Sequence, residues 1–237
     1  MKAIFSLFFL LCLSSTAFAA AIQSGPQQVS LIELYSSEGC SSCPPADKWM
    51  NSLKKDKGLW KEFVPVAFHV DYWDYLGWKD PYASPEFSQR QRRYADSWGS
   101  GSVYTPGFVV NGKESRNWAL PRPNKNVVGV LSVTRSDDQL KAAYRPAGKL
   151  EGDAGPWEAH FAALRSGLRS DVKKGENAGR LLPHDFVVTE HAVRSMRSEA
   201  DAWTAERKPE DDNADAVAVW ITRRGDETPV QATGGEI

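Results

Sequence analysis

A Cys-x-x-Cys pair between a predicted strand and a predicted helix is the feature that most limits what this chain can fold into. Residues 29–35 form an apolar run typical of a buried strand, and the turn 36–39 leads from it to Cys40-Ser41-Ser42-Cys43. The composition becomes helical over 44–57, and its two opening prolines are tolerated only in a first turn. The pattern therefore predicts both cysteines at the N-terminal end of a helix.

Such a pair fits three kinds of site: a dithiol exchange site, half of a zinc site, or a local disulfide. The four histidines of the chain are scattered and supply no second half of a tetrahedral zinc site. We therefore predict neither a metal site nor a cofactor. In an exchange site, Cys40 is the nucleophile because the helix start favours its thiolate, and Cys43 resolves the mixed disulfide.

The first half of the chain is predicted to have an α/β plan. Further strands are expected at 63–70 and 108–110, the second ended by the turn pair Asn111-Gly112. A helix over 84–98 begins with Ser84 as cap and Pro85 in the first turn. Strands that alternate with helices in this way indicate one α/β domain, which we place at residues 25–124.

Beyond residue 124 the pattern changes to strands separated by polar or glycine-bearing turns. The segments predicted as strands are 127–135, 139–144, 157–166, 186–193 and 216–222. A short helix is expected at 200–207 and a frayed tail from Thr228 onwards. We therefore predict a mainly antiparallel β domain at residues 125–237, which makes the whole chain α+β.

Residues 1–19 have the form of a cleaved secretory signal peptide, with Lys2 before an apolar run and Ala17-Phe18-Ala19 at its end. The apolar run is shorter than the ~20 residues that span a bilayer. We therefore expect a periplasmic or secreted protein without a membrane span in the mature chain. The formal net charge of −1 provides no broad basic field, which argues against nucleic acid as a partner.

The segment Tyr104-Thr105-Pro106 directly before a predicted strand resembles the thioredoxin superfamily. In that superfamily a cis-proline opens the strand beside the Cys-x-x-Cys pair and presents backbone groups to the bound peptide. The resemblance implies that Pro106 and Thr105 position the substrate. It also implies a proton relay through Glu33, the only charged residue of the first apolar strand, although alternation alone allows an outward-facing glutamate there.

Longer segments resemble one family of bacterial exported proteins, the domain of unknown function number twelve twenty-three, which is placed in the thioredoxin-like superfamily. The segments that carry this resemblance are 33–47, 70–81, Ser84-Pro85, 103–106 and Gly175-Glu176-Asn177. The resemblance covers most of the mature chain. It implies a thioredoxin-like domain in the first half.

These observations predict thiol–disulfide exchange with a protein or a small-molecule thiol as the partner. Tyr72 and Trp73 either line a substrate groove beside the cysteines or belong to the core, and composition favours the core. One alternative function is Cu(I) handling by the same dithiol, with His69 as a further ligand. The other is a binding module in which the disulfide is only structural.

Residues 173–180 contain glycines and charged residues and are predicted to form a solvent-exposed turn.

Overall fold

The protein is described by a computed structural model over residues 22–136, 139–148 and 157–237. The predicted signal peptide lies outside these residues. The described residues form two α-helices, α1 (Pro44–Ser52) and α2 (Pro85–Ser97). They also form fifteen strands: β1 (Ile22–Gln23), β2 (Ser30–Ser36), β3 (Phe63–His69), β4 (Gly107–Val110), β5 (Lys113–Ser115), β6 (Gly129–Ser136), β7 (Gln139–Pro146), β8 (Trp157–Arg165), β9 (Leu168–Asp171), β10 (Leu181–His184), β11 (Val187–Ser195), β12 (Arg197–Glu199), β13 (Ala202–Arg207), β14 (Ala216–Arg223) and β15 (Gln231–Glu236).

The predicted fold class, an α/β thioredoxin-like domain followed by a mainly antiparallel β domain, is wrong, because the structure is mostly β-sheet. Eight strands from both halves of the chain form one mixed sheet in the order β15-β14-β8-β11-β3-β2-β4-β5. Strand β3 pairs in parallel with β2 on one side and with β11 on the other. The predicted ranges 25–124 and 125–237 therefore share a sheet.

A hairpin follows β4. This is one respect in which the fold departs from the predicted plan of strands alternating with helices. The chain turns at Asn111 and Gly112, which both have positive φ, and returns as β5 antiparallel to β4. This confirms the turn predicted at that pair, whose residue types suit a two-residue hairpin loop. Strand β5 is the edge strand at this end of the sheet. The strands from the second half of the chain lie on the other side, beyond β3.

The two helices pack on opposite faces of the eight-stranded sheet. Alternate residues of β2 point to opposite faces. Ile32 and Leu34 share a buried cluster with Ala46 and Met50 of α1, whereas Leu31 and Tyr35 share one with Phe87 and Tyr94 of α2. Glu33 lies between Leu31 and Tyr35 in this alternation and therefore faces α2.

A second sheet, in the order β1-β6-β7-β13-β12, packs on the β8 and β14 part of the large sheet. The core between them includes Leu131 and Tyr144 from the small sheet and Trp157, Phe161 and Val219 from the large one. This sandwich accounts for the strands predicted over 127–135, 139–144, 157–166 and 216–222, each of which is confirmed within two residues at either end.

Two predictions for the C-terminal half are wrong. The helix expected at 200–207 is strand β13, because Ala202, Thr204 and Ala205 are buried where β13 pairs with β7. The tail expected to fray from Thr228 includes β15, which pairs with β14 at the end of the eight-stranded sheet. In both cases the segment forms a strand because it pairs with a neighbouring strand, although its own composition is polar or helix-like.

Candidate functional site

The cysteines lie where the chain leaves β2 and enters α1. Cys43 is the residue that caps α1, and Pro44 and Pro45 occupy its first turn. This position confirms the sequence prediction. The two sulfur atoms are at disulfide distance, 2.32 Å. Cys40 is 1% exposed and Cys43 is 0% exposed, whereas Ser41 and Ser42 between them are exposed.

Ser42 connects Cys40 to the segment before β4. Its hydroxyl lies 3.3 Å from Cys40 Sγ and donates to the Thr105 carbonyl oxygen at 3.5 Å. The Thr105–Pro106 peptide bond is cis. The structure therefore places Cys40 close to Thr105 and Pro106, and a role of these two residues in positioning a substrate stays a prediction.

Trp73 and Tyr72 also lie close to Thr105. The indole Nε1 of Trp73 donates to Thr105 Oγ1 at 2.7 Å, and its Cβ lies so close to Gly39 that an added Cβ there would approach it at 2.9 Å. Tyr72 donates to Gln91 Oε1 at 3.0 Å. Both aromatic residues are half-buried and pack on the core cluster of α2. Each therefore contributes one side to the core and leaves another side exposed near the cysteines.

Glu33 lies apart from this group. It is fully buried and faces α2, where its carboxylate accepts hydrogen bonds from Arg90 Nε at 2.8 Å, from Tyr94 at 2.5 Å and from Tyr35 at 3.0 Å. Arg90 also pairs with Glu227, which follows β14. The structure thus gives Glu33 a partner set on the face of the sheet opposite α1.

A buried cluster of acids and histidines lies behind the cysteine turn, and sequence reasoning missed it. Glu38 accepts from Trp78 Nε1 at 2.7 Å and contacts His184 Nε2 at 3.1 Å. Asp80 accepts from the Glu38 backbone N–H at 2.8 Å and pairs with His69 Nδ1 at 2.7 Å. The rings of His69 and His184 lie 4.9 Å apart. The only signal in the sequence was the set of charged residues among the aromatic ones at 70–81.

The charges of this cluster follow from its pairing. Burial alone would lower the pKa of His69, but the carboxylate of Asp80 outweighs it and raises that pKa to about 9. Burial alone would raise the pKa of Asp80, yet the neighbouring His69 lowers it. On α1, one turn after Cys43, burial raises the pKa of Asp47, whose carboxylate accepts a hydrogen bond from Ser36 at 2.7 Å.

The turn between β9 and β10 closes over the cysteine loop, although the sequence suggested a solvated turn there. Asn177 is fully buried and donates to the backbone carbonyls of Glu38 at 2.8 Å and Cys40 at 2.9 Å. Glu176 accepts from the Ser41 backbone N–H at 3.0 Å. The signal that could have identified these residues is Gly175-Glu176-Asn177, one of the segments on which the family resemblance was based.

Within the described ranges, no three His, Cys, Asp or Glu side chains are grouped so that they could hold a metal ion. His69, the predicted third ligand for Cu(I), uses Nδ1 to pair with Asp80. The same ranges contain no helix that is both long and apolar enough to cross a membrane.

Fold and site together define a β-rich protein with a buried Cys-x-x-Cys pair at a helix start. The family model described as "Protein of unknown function (DUF1223)" matches residues 31–222, and the chain belongs to this family. The resemblance found from the sequence is thereby confirmed at the level of the family. No curated protein matches the chain.

Two solved structures resemble most of the chain. The crystal structure of protein AGR_C_4864 from Agrobacterium tumefaciens is 26% identical, with a TM-score of 0.65, over 89% of this chain and 95% of that one. HBP35 of Porphyromonas gingivalis is 13% identical, with a TM-score of 0.62, over 90% of this chain and 76% of that one. The second likeness concerns the fold alone.

Proposed function

We propose that this is an exported protein, periplasmic or secreted, that catalyses thiol–disulfide exchange through Cys40 and Cys43. The observation that carries the proposal is the position of the pair at the start of α1, with the Ser42 hydroxyl 3.3 Å from Cys40 Sγ. The helix dipole favours a thiolate at such a place. In the reduced protein the Ser42 hydroxyl would stabilise that thiolate by turning from the Thr105 carbonyl to donate to Cys40 Sγ. The partner is a protein or small-molecule thiol or disulfide.

In the proposed reaction, the Cys40 thiolate attacks one sulfur of a substrate disulfide and the other substrate sulfur leaves as a thiolate. Cys43 then loses its proton and attacks Cys40 Sγ in the mixed disulfide, which releases the second substrate sulfur. The substrate gains two electrons and two protons, and the Cys40–Cys43 pair loses them as its own disulfide forms. The reverse sequence transfers the disulfide to a substrate.

The residues around Cys40 suit the positioning of an extended substrate. Thr105 and Pro106 lie beside Ser42, and Tyr72 and Trp73 form an aromatic wall on the same side. Because Cys40 is only 1% exposed in the disulfide form, exchange requires a displacement of the groups around it. Trp73 is a candidate for this displacement, because its Cβ lies close to Gly39, next to Cys40, and its indole makes one side-chain hydrogen bond, to Thr105.

The burial of both cysteines specifically favours a second candidate, a binding module whose disulfide is structural. The Cu(I) alternative rests on the two thiols alone. Both rivals make different predictions for the reduced protein. A structural disulfide resists glutathione, whereas a copper site retains one Cu(I) per protein in competition with disulfide formation.

The test is glutathione equilibration of the chain that starts at Ala20, with acid trapping of thiols and with copper excluded. An exchange catalyst has a reduction potential between roughly −120 and −270 mV. In addition, C43A should accumulate a mixed disulfide with a model disulfide peptide, whereas the matched variant C40A should not. A potential below about −300 mV, or equal trapping by the two variants, contradicts the proposal.

A further inference from the structure

The turn at residues 172–180, between β9 and β10, makes direct polar contacts with the cysteine loop. Both hydrogens of the buried Asn177 amide are used, one on the carbonyl of Glu38 and one on the carbonyl of Cys40. Its Oδ1 accepts from Arg180 Nη1 at 2.8 Å, which fixes the amide orientation. A segment more than a hundred residues away in sequence thus holds the backbone at Cys40 in place.

Glu176 adds a charge at the same place. Its Oε2 accepts the backbone N–H of Ser41, the amide that directly follows Cys40. The side chain of Ser41 and, after it, this backbone N–H lower the pKa of Glu176 by hydrogen bonding, so the carboxylate is ionised at neutral pH. Among the described residues, Glu176 has no Lys, Arg or His within ion-pair distance. Its negative charge is therefore not neutralised by a partner.

A negative charge beside Cys40 acts against the thiolate in two ways. It repels the sulfur anion directly, and it occupies the backbone N–H of Ser41, in the loop before α1, which would otherwise be free to donate to that anion. A dithiol whose thiolate is disfavoured is a weaker oxidant, because the reduced form is less stable relative to the disulfide. Glu38 is also near, but its carboxylate is engaged with Trp78 and His184.

We propose that Glu176 and Asn177 are positioning residues that set the redox poise of the cysteine pair, Asn177 by fixing the Cys40 backbone and Glu176 by holding the pair toward the disulfide form. This inference rests on the proposed exchange function. It assigns a role in the redox site to the C-terminal half of the chain, through a turn that touches neither sulfur atom.

The experiment compares wild type and E176Q, with E199Q as a matched control that removes an exposed carboxylate from β12 of the other sheet. We expect E176Q to shift the glutathione equilibrium about threefold toward the dithiol, the scale of one exposed charge interaction. The shift should shrink in 1 M salt, where the Debye length is ~3 Å. E199Q should leave the equilibrium unchanged.

A second measurement separates this inference from the proposed function. After chemical reduction, the pH profile of Cys40 alkylation by iodoacetamide reports the thiolate whether or not the pair exchanges with glutathione. We expect the pH midpoint of alkylation to be lower in E176Q than in wild type. Both proteins contain the titratable neighbours Glu38 and Asp47, so these residues do not account for the difference. An E176Q profile and equilibrium equal to wild type overturn the inference. A wild-type pair that is inert to glutathione overturns the proposed function instead.

Discussion

The carboxylate of Glu33 and the guanidinium of Arg90 form a fully buried ion pair, 2.8 Å between Oε2 and Nε, on the face of the large sheet opposite α1. Tyr94 and Tyr35 complete the hydrogen bonding of Glu33, and Arg90 lies over the rings of Phe68 and Trp220 at 5.6 and 5.2 Å. These donors engage both carboxylate oxygens of Glu33. Its position favours a structural role over proton transfer to Cys43.

E33Q should therefore lower stability without altering the redox site. E33Q leaves Glu227 as the remaining carboxylate partner of the buried Arg90, so we expect a loss in the free energy of unfolding below the about 3–5 kcal/mol of a fully broken buried pair. Urea unfolding measures this loss, and glutathione equilibration at low temperature measures the redox site in the same preparation. Y94F, which removes the hydroxyl that bonds Glu33, Arg90 and the Glu227 carbonyl but removes no charge, should cost about 1–2 kcal/mol. A slower resolving step in E33Q without loss of stability would restore the proton-relay hypothesis.

The His69–Asp80 pair predicts a loss of stability on the alkaline side of neutrality. The pKa of His69 is raised from 6.5 to about 9 in the folded protein, so the folded state binds this proton more tightly than the unfolded chain. The stabilisation is complete below pH 6.5 and is lost as the pH rises to about 9. The shift corresponds to a loss on the order of 3 kcal/mol.

Urea unfolding at several pH values checks this window. H69Q should have a flatter pH dependence between pH 6.5 and 9 than wild type. H191Q is the control, because burial and then the nearby Arg90 lower the pKa of His191 far enough that it stays neutral throughout this range. Equal slopes for wild type and H69Q would show that another group governs the titration.

W73F should make the disulfide more reactive. Phenylalanine keeps the Cβ that lies close to Gly39 and an aromatic ring, but removes the hydrogen bond from Trp73 Nε1 to Thr105 Oγ1. We expect reduction by dithiothreitol to become about fivefold faster, the effect of one lost hydrogen bond of about 1 kcal/mol on the covering side chain. W98F is the matched control, since Trp98 donates to the Gly112 carbonyl instead. An unchanged reduction rate in W73F would mean that Trp73 does not limit access.

Q231A should destabilise the whole protein. Gln231 is buried, and its amide accepts from the Val29 backbone N–H at 2.8 Å and donates to the carbonyls of Gly129, Gln27 and Gly25. Loss of this side chain leaves several buried backbone groups without partners, which costs about 3 kcal/mol. The change in thermal midpoint measures the effect. The exposed Gln139 of β7 provides the control Q139A, and equal midpoints for the two variants would contradict this account.

Local patterns predicted most of the individual elements of the first half. Proline in a first turn indicated α1 and α2, and Asn111-Gly112 indicated the turn after β4, because these residue types restrict the backbone directly. The association of the two halves did not follow from local pattern. Strand β3 is apolar from Phe63 to Phe68, which suits a central strand, but nothing in its sequence specifies β11 as its second neighbour.

The candidate site was predicted only in part, because local sequence patterns do not specify contacts between distant parts of the chain. The proximity of Cys40, Thr105 and Pro106 followed from motif order and a family resemblance, and the structure brings these residues together. The contribution of Glu176 and Asn177 depends on contacts that span the chain, and glycines with charges around them are equally typical of an exposed turn. The orientation of Glu33 toward Arg90 required the position of α2.

The parallel pairing of β3 with β11, where Val187 lies opposite Ala67, has a consequence for how the chain reaches its folded state. When the chain emerges N-terminus first, from a ribosome or across a membrane, β2, β3 and β4 can assemble before any of β11 is present. Until then the apolar edge of β3 is open, and an open edge of this kind pairs readily with other chains. The open edge of β3 must therefore be kept from pairing with other chains until β11 has been synthesised and can pair with it.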